Sequence, residues 1–130
     1  MKKFEGKSIL VTGACGTVGT ELVKQLLTDK TCAPRELIGI DNNESALFFL
    51  DQHHLDDSRA HFYVTDIRDC EALVDMMKGV DIVFHAAALK HVILCERSPK
   101  QALQTNISGT QNIITAANAN NVETVIFTSS

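Results

Sequence analysis

Apolar residues fall along this chain in two alternating patterns: short continuous runs, and longer stretches in which they recur every third or fourth position. Ser8-Ile9-Leu10-Val11-Thr12 is the first run and breaks into glycines, after which Val18, Leu22, Val23, Leu26 and Leu27 follow at helical spacing. Glu36-Leu37-Ile38-Gly39-Ile40-Asp41 is the second run. It lacks polar alternation, as expected of a parallel strand covered on both faces. Ser45 to about Gln52 predicts a second helix, with Phe48 and Phe49 expected in the core. Arg59 to Asp66 predicts a third strand, and Cys70, Leu73, Val74 and Met77 a third helix that stops at Gly79. Val80 to His85 reads as a fourth strand. A long helix from Pro99 to about Ala119 is expected to carry Leu103, Ile107, Ile114 and Ala117, and Val122 to Ser130 reads as a fifth strand.

Strands that alternate with helices through right-handed crossovers give an α/β fold: a Rossmann-type, doubly wound parallel sheet in three αβα layers, ordered 3-2-1-4-5. Ligands in such sheets lie beyond the carboxyl ends of the strands, where the order reverses. Gly13 to Gly19, Asp41, Asp66, Ala86 to Lys90 and Ser129-Ser130 are all expected at those ends.

The glycines are spaced Gly13-x-x-Gly16-x-x-Gly19 between a strand and a helix. The first N–H groups of a helix have no partner within it, and the aligned peptide dipoles add partial positive charge there, so a diphosphate can be held without any basic side chain. Gly13 permits the sharp turn, Gly16 lets the backbone approach a pyrophosphate, and Gly19 lets the helix pack closely. An acid, Asp41, ends the next strand 22 residues beyond Gly19, near the interval at which a dinucleotide's ribose is bound. No Gly-Lys-Ser/Thr follows the glycines, which excludes a nucleoside-triphosphate loop. A carboxylate at position 41 accepts ribose hydroxyls but repels a 2′-phosphate, so NAD is expected, with NADP the alternative.

Composition narrows the field. With 130 residues, 45% of them apolar and 22% charged, the chain suits one globular domain. A net charge of −4 with scattered Lys and Arg argues against a nucleic-acid surface, and no apolar run approaches the roughly 20 residues that span a bilayer. Cys15, Cys32, Cys70 and Cys95 have no paired spacing, which suits reduced thiols and a cytoplasmic setting. His53, His54, Asp56 and Asp57 read as a solvated helix end, because adjacent histidines on a helix point apart.

Thr12-Gly13-Ala14-Cys15-Gly16-Thr17-Val18-Gly19, Thr65-Asp66-Ile67-Arg68, Phe84-His85-Ala86-Ala87-Ala88-Leu89-Lys90-His91-Val92, Asn106-x-x-Gly109-Thr110 and Thr128-Ser129-Ser130 together resemble the extended short-chain dehydrogenase/reductases. Within them the chain is most similar to polysaccharide-biosynthesis dehydratases of the UDP-N-acetylglucosamine 4,6-dehydratase type, and UDP-glucose 4-epimerases share much of the pattern. Ile93 departs from it, standing where relatives carry proline.

The resemblance implies that Gly13, Gly16 and Gly19, with the N–H groups of Thr17 and Val18, hold the pyrophosphate. It further implies that Asp41 binds the adenosine ribose, and that Asp66 and Ile67 flank adenine. Ala86, Ala87, Ala88 and Lys90 would line the nicotinamide side, Asn106 would organise the site, and Ser130 would position a UDP-sugar substrate. The family's reaction also uses an Asp-Lys pair after the fifth strand and a Tyr or Met followed four residues later by Lys. The one tyrosine here, Tyr63, is followed at that distance by Ile67. The chain is therefore expected to be the N-terminal, cofactor-binding part of a dehydratase, without the substrate domain and inactive alone. The alternatives are an epimerase fragment or a non-catalytic dinucleotide-sensing module. An uncovered fifth strand further predicts either self-association, into a homo-oligomer, or marginal stability.

Overall fold

The computed structural model describes residues 3–86 and 99–127, with side chains throughout except those of 99–108. The elements run β1 (Ser8–Thr12), α1 (Thr17–Thr28), β2 (Glu36–Asp41), α2 (Glu44–His53), β3 (Ala60–Val64), α3 (Cys70–Met76), β4 (Ile82–His85), α4 (Pro99–Ala119) and β5 (Thr124–Phe127). The strands form one parallel sheet in the order β3-β2-β1-β4-β5, as the alternation predicts. β1 is central and buried at every residue, which explains its unbroken apolar run.

Strand side chains alternate between the two faces, and each face builds its own core. Ile9, Val11, Leu37, Ile82 and Phe84 pack with Val23 and Leu26 of α1 and Leu47 and Leu50 of α2. On the opposite face Leu10, Ile40 and Val83 pack with Leu73 of α3, Met77, and Ile113, Ala116 and Ala117 of α4. Register then sets the functional edge: Thr12 lies beside Ile40 on one side and His85 on the other, and Asp41 lies beside Val64.

Two expectations about side chains are corrected. Phe48 and Phe49 are 58% and 71% exposed and meet only edge to face on the outside of α2. Leu47 and Leu50 hold the inward arc, and each step of about 100° around the helix carries the phenylalanines away from it. On α4, Ile114 is 43% exposed while Ile113 and Ala116 are fully buried, so the inward face is turned by one residue from the expected one. Ala117 stays buried, and Leu103 and Ile107 lie outside the described side chains.

Side chains close the N-termini of α2 and α3. Asn43 Oδ1 accepts the Ala46 N–H at 3.1 Å, and Asp69 Oδ1 accepts the Ala72 N–H at 3.1 Å. No side chain caps α1.

Candidate functional site

The turn after β1 is built to present backbone. Gly13 takes a left-handed φ of +67°, and the Gly16 N–H donates to its carbonyl at 3.1 Å. Gly16 is the extended N-cap of α1, with no side-chain cap and no acidic residue in the first turn. Thr20 ties the helix back onto the turn, its hydroxyl donating to the Ala14 carbonyl at 3.1 Å. A Cβ at Gly19 would lie 2.0 Å from the Gly13 carbonyl oxygen, so the first turn of α1 rests directly on the loop. The result is a helix N-terminus, with the N–H groups of Thr17 and Val18 in its first turn, that is positively polarised and uncapped by any side chain.

Asp41 braces that loop. Its carboxylate accepts the Cys15 N–H at 3.1 Å and the Asn43 N–H at 2.9 Å, and the residue is only 5% exposed. Its carbonyl accepts the Thr65 N–H at 3.0 Å, while the neighbouring Ile40 carbonyl accepts the Ala14 N–H at 3.1 Å. The ends of β1, β2 and β3 are thereby tied across the sheet. Sequence reasoning assigned Asp41 a ribose contact alone and did not foresee this bond to the glycine loop.

Beyond β3, the Asp66 carboxylate accepts the backbone N–H of Arg68 at 2.9 Å and its guanidinium Nη2 at 2.7 Å. Hydrogen bonding to the Arg68 side chain holds the Asp66 carboxyl below the usual carboxylate range. Arg68 is largely exposed, so the pair shapes the turn more than it stabilises the fold. Ile67 packs inward against the core that α3 and α4 build.

A buried polar pair joins β1 to β4. Thr12 Oγ1 and His85 Nδ1 are 2.6 Å apart, and the Ala86 N–H donates to both the carbonyl and the hydroxyl of Thr12 at 3.2 Å. His85 is 1% exposed, and burial pushes its imidazole pKa down, keeping it neutral at pH 7. Its ring meets the edge of Phe127 on β5 with centroids 5.8 Å apart. Sequence reasoning placed His85 only within a motif. The signal for its role was a polar residue closing an otherwise apolar strand.

Of the predicted site residues, Gly13, Gly16, Thr17, Val18, Gly19, Asp41, Asp66, Ile67 and Ala86 lie along the carboxyl edge of four neighbouring strands. Ala87, Ala88, Lys90 and Ser130 lie outside the described residues, and Asn106 sits on α4 with its side chain outside them.

Residues 9–130, nearly the whole chain, match the polysaccharide biosynthesis protein family. The chain belongs to that family. It is an extended short-chain dehydrogenase/reductase, as its motifs and strand order imply. Proteins to which it is similar include an uncharacterized membrane protein of Methanocaldococcus jannaschii, 45% identical over 123 residues, and the inverting UDP-N-acetylglucosamine 4,6-dehydratase of Campylobacter jejuni, 37% identical over 123 residues. A UDP-glucose 4-epimerase of Rickettsia bellii is 37% identical over 130 residues. Each match covers 95% of this chain, which spans 36% of the relative's length. The dTDP-glucose 4,6-dehydratase DesIV of Streptomyces venezuelae, solved with NAD bound, superposes with a TM-score of 0.75 at 31% identity. That match covers 91% of this chain and 38% of DesIV. Among the described residues, no helix is long and apolar enough to cross a membrane.

Proposed function

We propose that this chain is the NAD-binding part of a nucleotide-sugar 4,6-dehydratase of the UDP-N-acetylglucosamine type, a lyase of polysaccharide biosynthesis. The observation that carries the reading is the N-terminus of α1, uncapped by any side chain, seated on the Gly13 turn and braced by a buried carboxylate on the next strand. Backbone donors with a fixed dipole suit a pyrophosphate, and no side chain of the first helical turn competes for them. The dehydratase among its relatives and the NAD-bound dehydratase structure support the same reading.

In this reading Gly13, Gly16, Thr17, Val18 and Gly19 hold the diphosphate, Asp41 takes the adenosine ribose, and Asp66 and Ile67 flank adenine. Ala86, Ala87, Ala88 and Lys90 line the nicotinamide side, while Asn106 and Ser130 organise the substrate side for a UDP-sugar. NAD, when bound, supplies the hydride acceptor for oxidation at C4 of the sugar. The chain carries no Tyr or Met followed four residues later by Lys, so it binds without turning over. The whole enzyme acts in the cytoplasm as a homo-oligomer. An epimerase is the second reading, favoured by the Rickettsia relative, and a stand-alone dinucleotide sensor is the third.

Titration calorimetry with the purified chain tests the binding step. NAD should bind with measurable heat and NADP at least about tenfold more weakly, because a buried carboxylate at the ribose disfavours a 2′-phosphate. No heat with either coenzyme overturns the proposal. Incubation with UDP-N-acetylglucosamine and NAD should yield no 4-keto product, and turnover would refute the claim that the chain is inactive alone.

A further inference from the structure

Two residues of α4, three positions apart and so on one face of the helix, converge on Ile67 from opposite chemistries. Gly109 is buried, and a Cβ there would lie 2.5 Å from Ile67 Cδ1 and 3.0 Å from its Cγ1. Asn112 Nδ2 donates to the Ile67 carbonyl at 3.0 Å. Glycine is a poor residue inside a helix, so its place within a 21-residue one needs a packing reason, and the Ile67 side chain supplies it. Asp66 is held locally by Arg68, and Thr65 is held by the Asp41 carbonyl. Ile67 takes its position from α4, on the same face of the sheet.

We infer that Gly109 and Asn112 are positioning residues for the adenine end of the site, setting the Ile67 side chain by the space left at one and the Ile67 backbone by the amide of the other. The inference rests on the dinucleotide reading above. Neither α4 residue touches the ligand; both act through Ile67. An added methyl at 109 meets the far end of a flexible side chain, so Ile67 turns rather than the helix moving. The cost then falls on whatever packs against Ile67.

Affinities of the full chain for ADP-ribose, which carries adenine, and for nicotinamide mononucleotide, which does not, provide the test. Gly109→Ala should weaken ADP-ribose by about fivefold and nicotinamide mononucleotide by less than about twofold. Asn112→Ala should act in the same direction. Ile67→Val, which removes Cδ1, should restore ADP-ribose affinity in the Gly109→Ala background, a rescue that general destabilisation does not produce. Equal weakening of both ligands, unchanged ADP-ribose binding in Gly109→Ala, or failure of the Ile67→Val rescue overturns the inference while the dinucleotide site stands. A wild-type chain that binds neither NAD nor ADP-ribose overturns the reading beneath it and the inference together.

Discussion

Gly19→Ala is the substitution on which geometry speaks most directly. The new Cβ would lie 2.0 Å from the Gly13 carbonyl oxygen, 2.8 Å from the Gly13 carbonyl carbon and 2.9 Å from Ala14 Cα. All three are backbone atoms of the turn, so no side chain can swing aside. Relief to ordinary contact at about 3.4 Å or more requires the helix and the loop to part, and overpacking of this kind costs about 1–3 kcal/mol, occasionally more. Alanine's better helix propensity returns about 1 kcal/mol. The net loss of about 0–2 kcal/mol corresponds to a melting temperature lower by up to roughly 10 °C for a chain of this size. Gly79→Ala is the control, because its Cβ meets nothing within 4 Å and its only cost is the left-handed φ of +77°, about 1–2 kcal/mol. The two variants should therefore melt at similar temperatures and differ in ligand binding. Thermal denaturation with calorimetric titration of NAD reads both quantities. Gly19→Ala should lose NAD binding by more than about tenfold, since the parting helix carries the phosphate donors with it, while Gly79→Ala should keep it. Retained NAD affinity in a folded Gly19→Ala protein would refute the claim that close seating of α1 builds the site.

The remaining predictions concern pH and surface. Burial lowers the folded-state pKa of His85, so the unfolded chain takes up a proton that the folded one refuses, as pH falls below about 6.5. The stability from a neutral His85 is therefore full above that pH and is lost as pH falls toward the folded-state pKa. His54, pushed down chiefly by partial burial, contributes in the same sense. His85→Gln should thus flatten, without erasing, the decline in urea-unfolding free energy between about pH 7 and 5, and an unaltered slope would count against it. Phe48→Ser with Phe49→Ser should change stability by less than about 0.5 kcal/mol in urea unfolding, because both rings are exposed. A loss of several kcal/mol would restore the sequence-based expectation that they belong to the core.

The order of the strands and the edge at which the candidate residues gather were legible because they follow from local rules. Alternating periodicities fix the crossovers, and the glycines after β1 fix the tight turn that leads into the N-terminus of α1. The rotation of a helix on the sheet was not legible. α4 offers Ile113 and Ile114 side by side, and only the sheet beneath decides which turns inward. Phe48 and Phe49 misled for a related reason: large apolar residues are usually buried, yet α2 has a narrow inward arc that Leu47 and Leu50 fill. Nor could the sequence show that Asp41 holds Cys15, or that Asn112 reaches Ile67 from 45 positions away, because such contacts exist only once the strands are in register.

That register also explains why the site's floor lies where it does. β1 is followed in the chain by α1, which covers one face of the sheet, and β4 by α4, which covers the other, so the strand order reverses between these two strands. The two strands pair side by side up to their carboxyl ends, where Thr12 and His85 are the last pair. Thr12 supplies the bridge with two groups at once, its carbonyl and hydroxyl both receiving the Ala86 N–H while the hydroxyl also pairs with His85. The distance from the Gly13 turn to Ala86 is thus set by a buried hydroxyl and a buried imidazole, groups that are costly to separate once away from water. In the reading proposed above, the two ends of a dinucleotide need such a fixed separation, and Thr12 and His85 would supply it from beneath without touching the ligand.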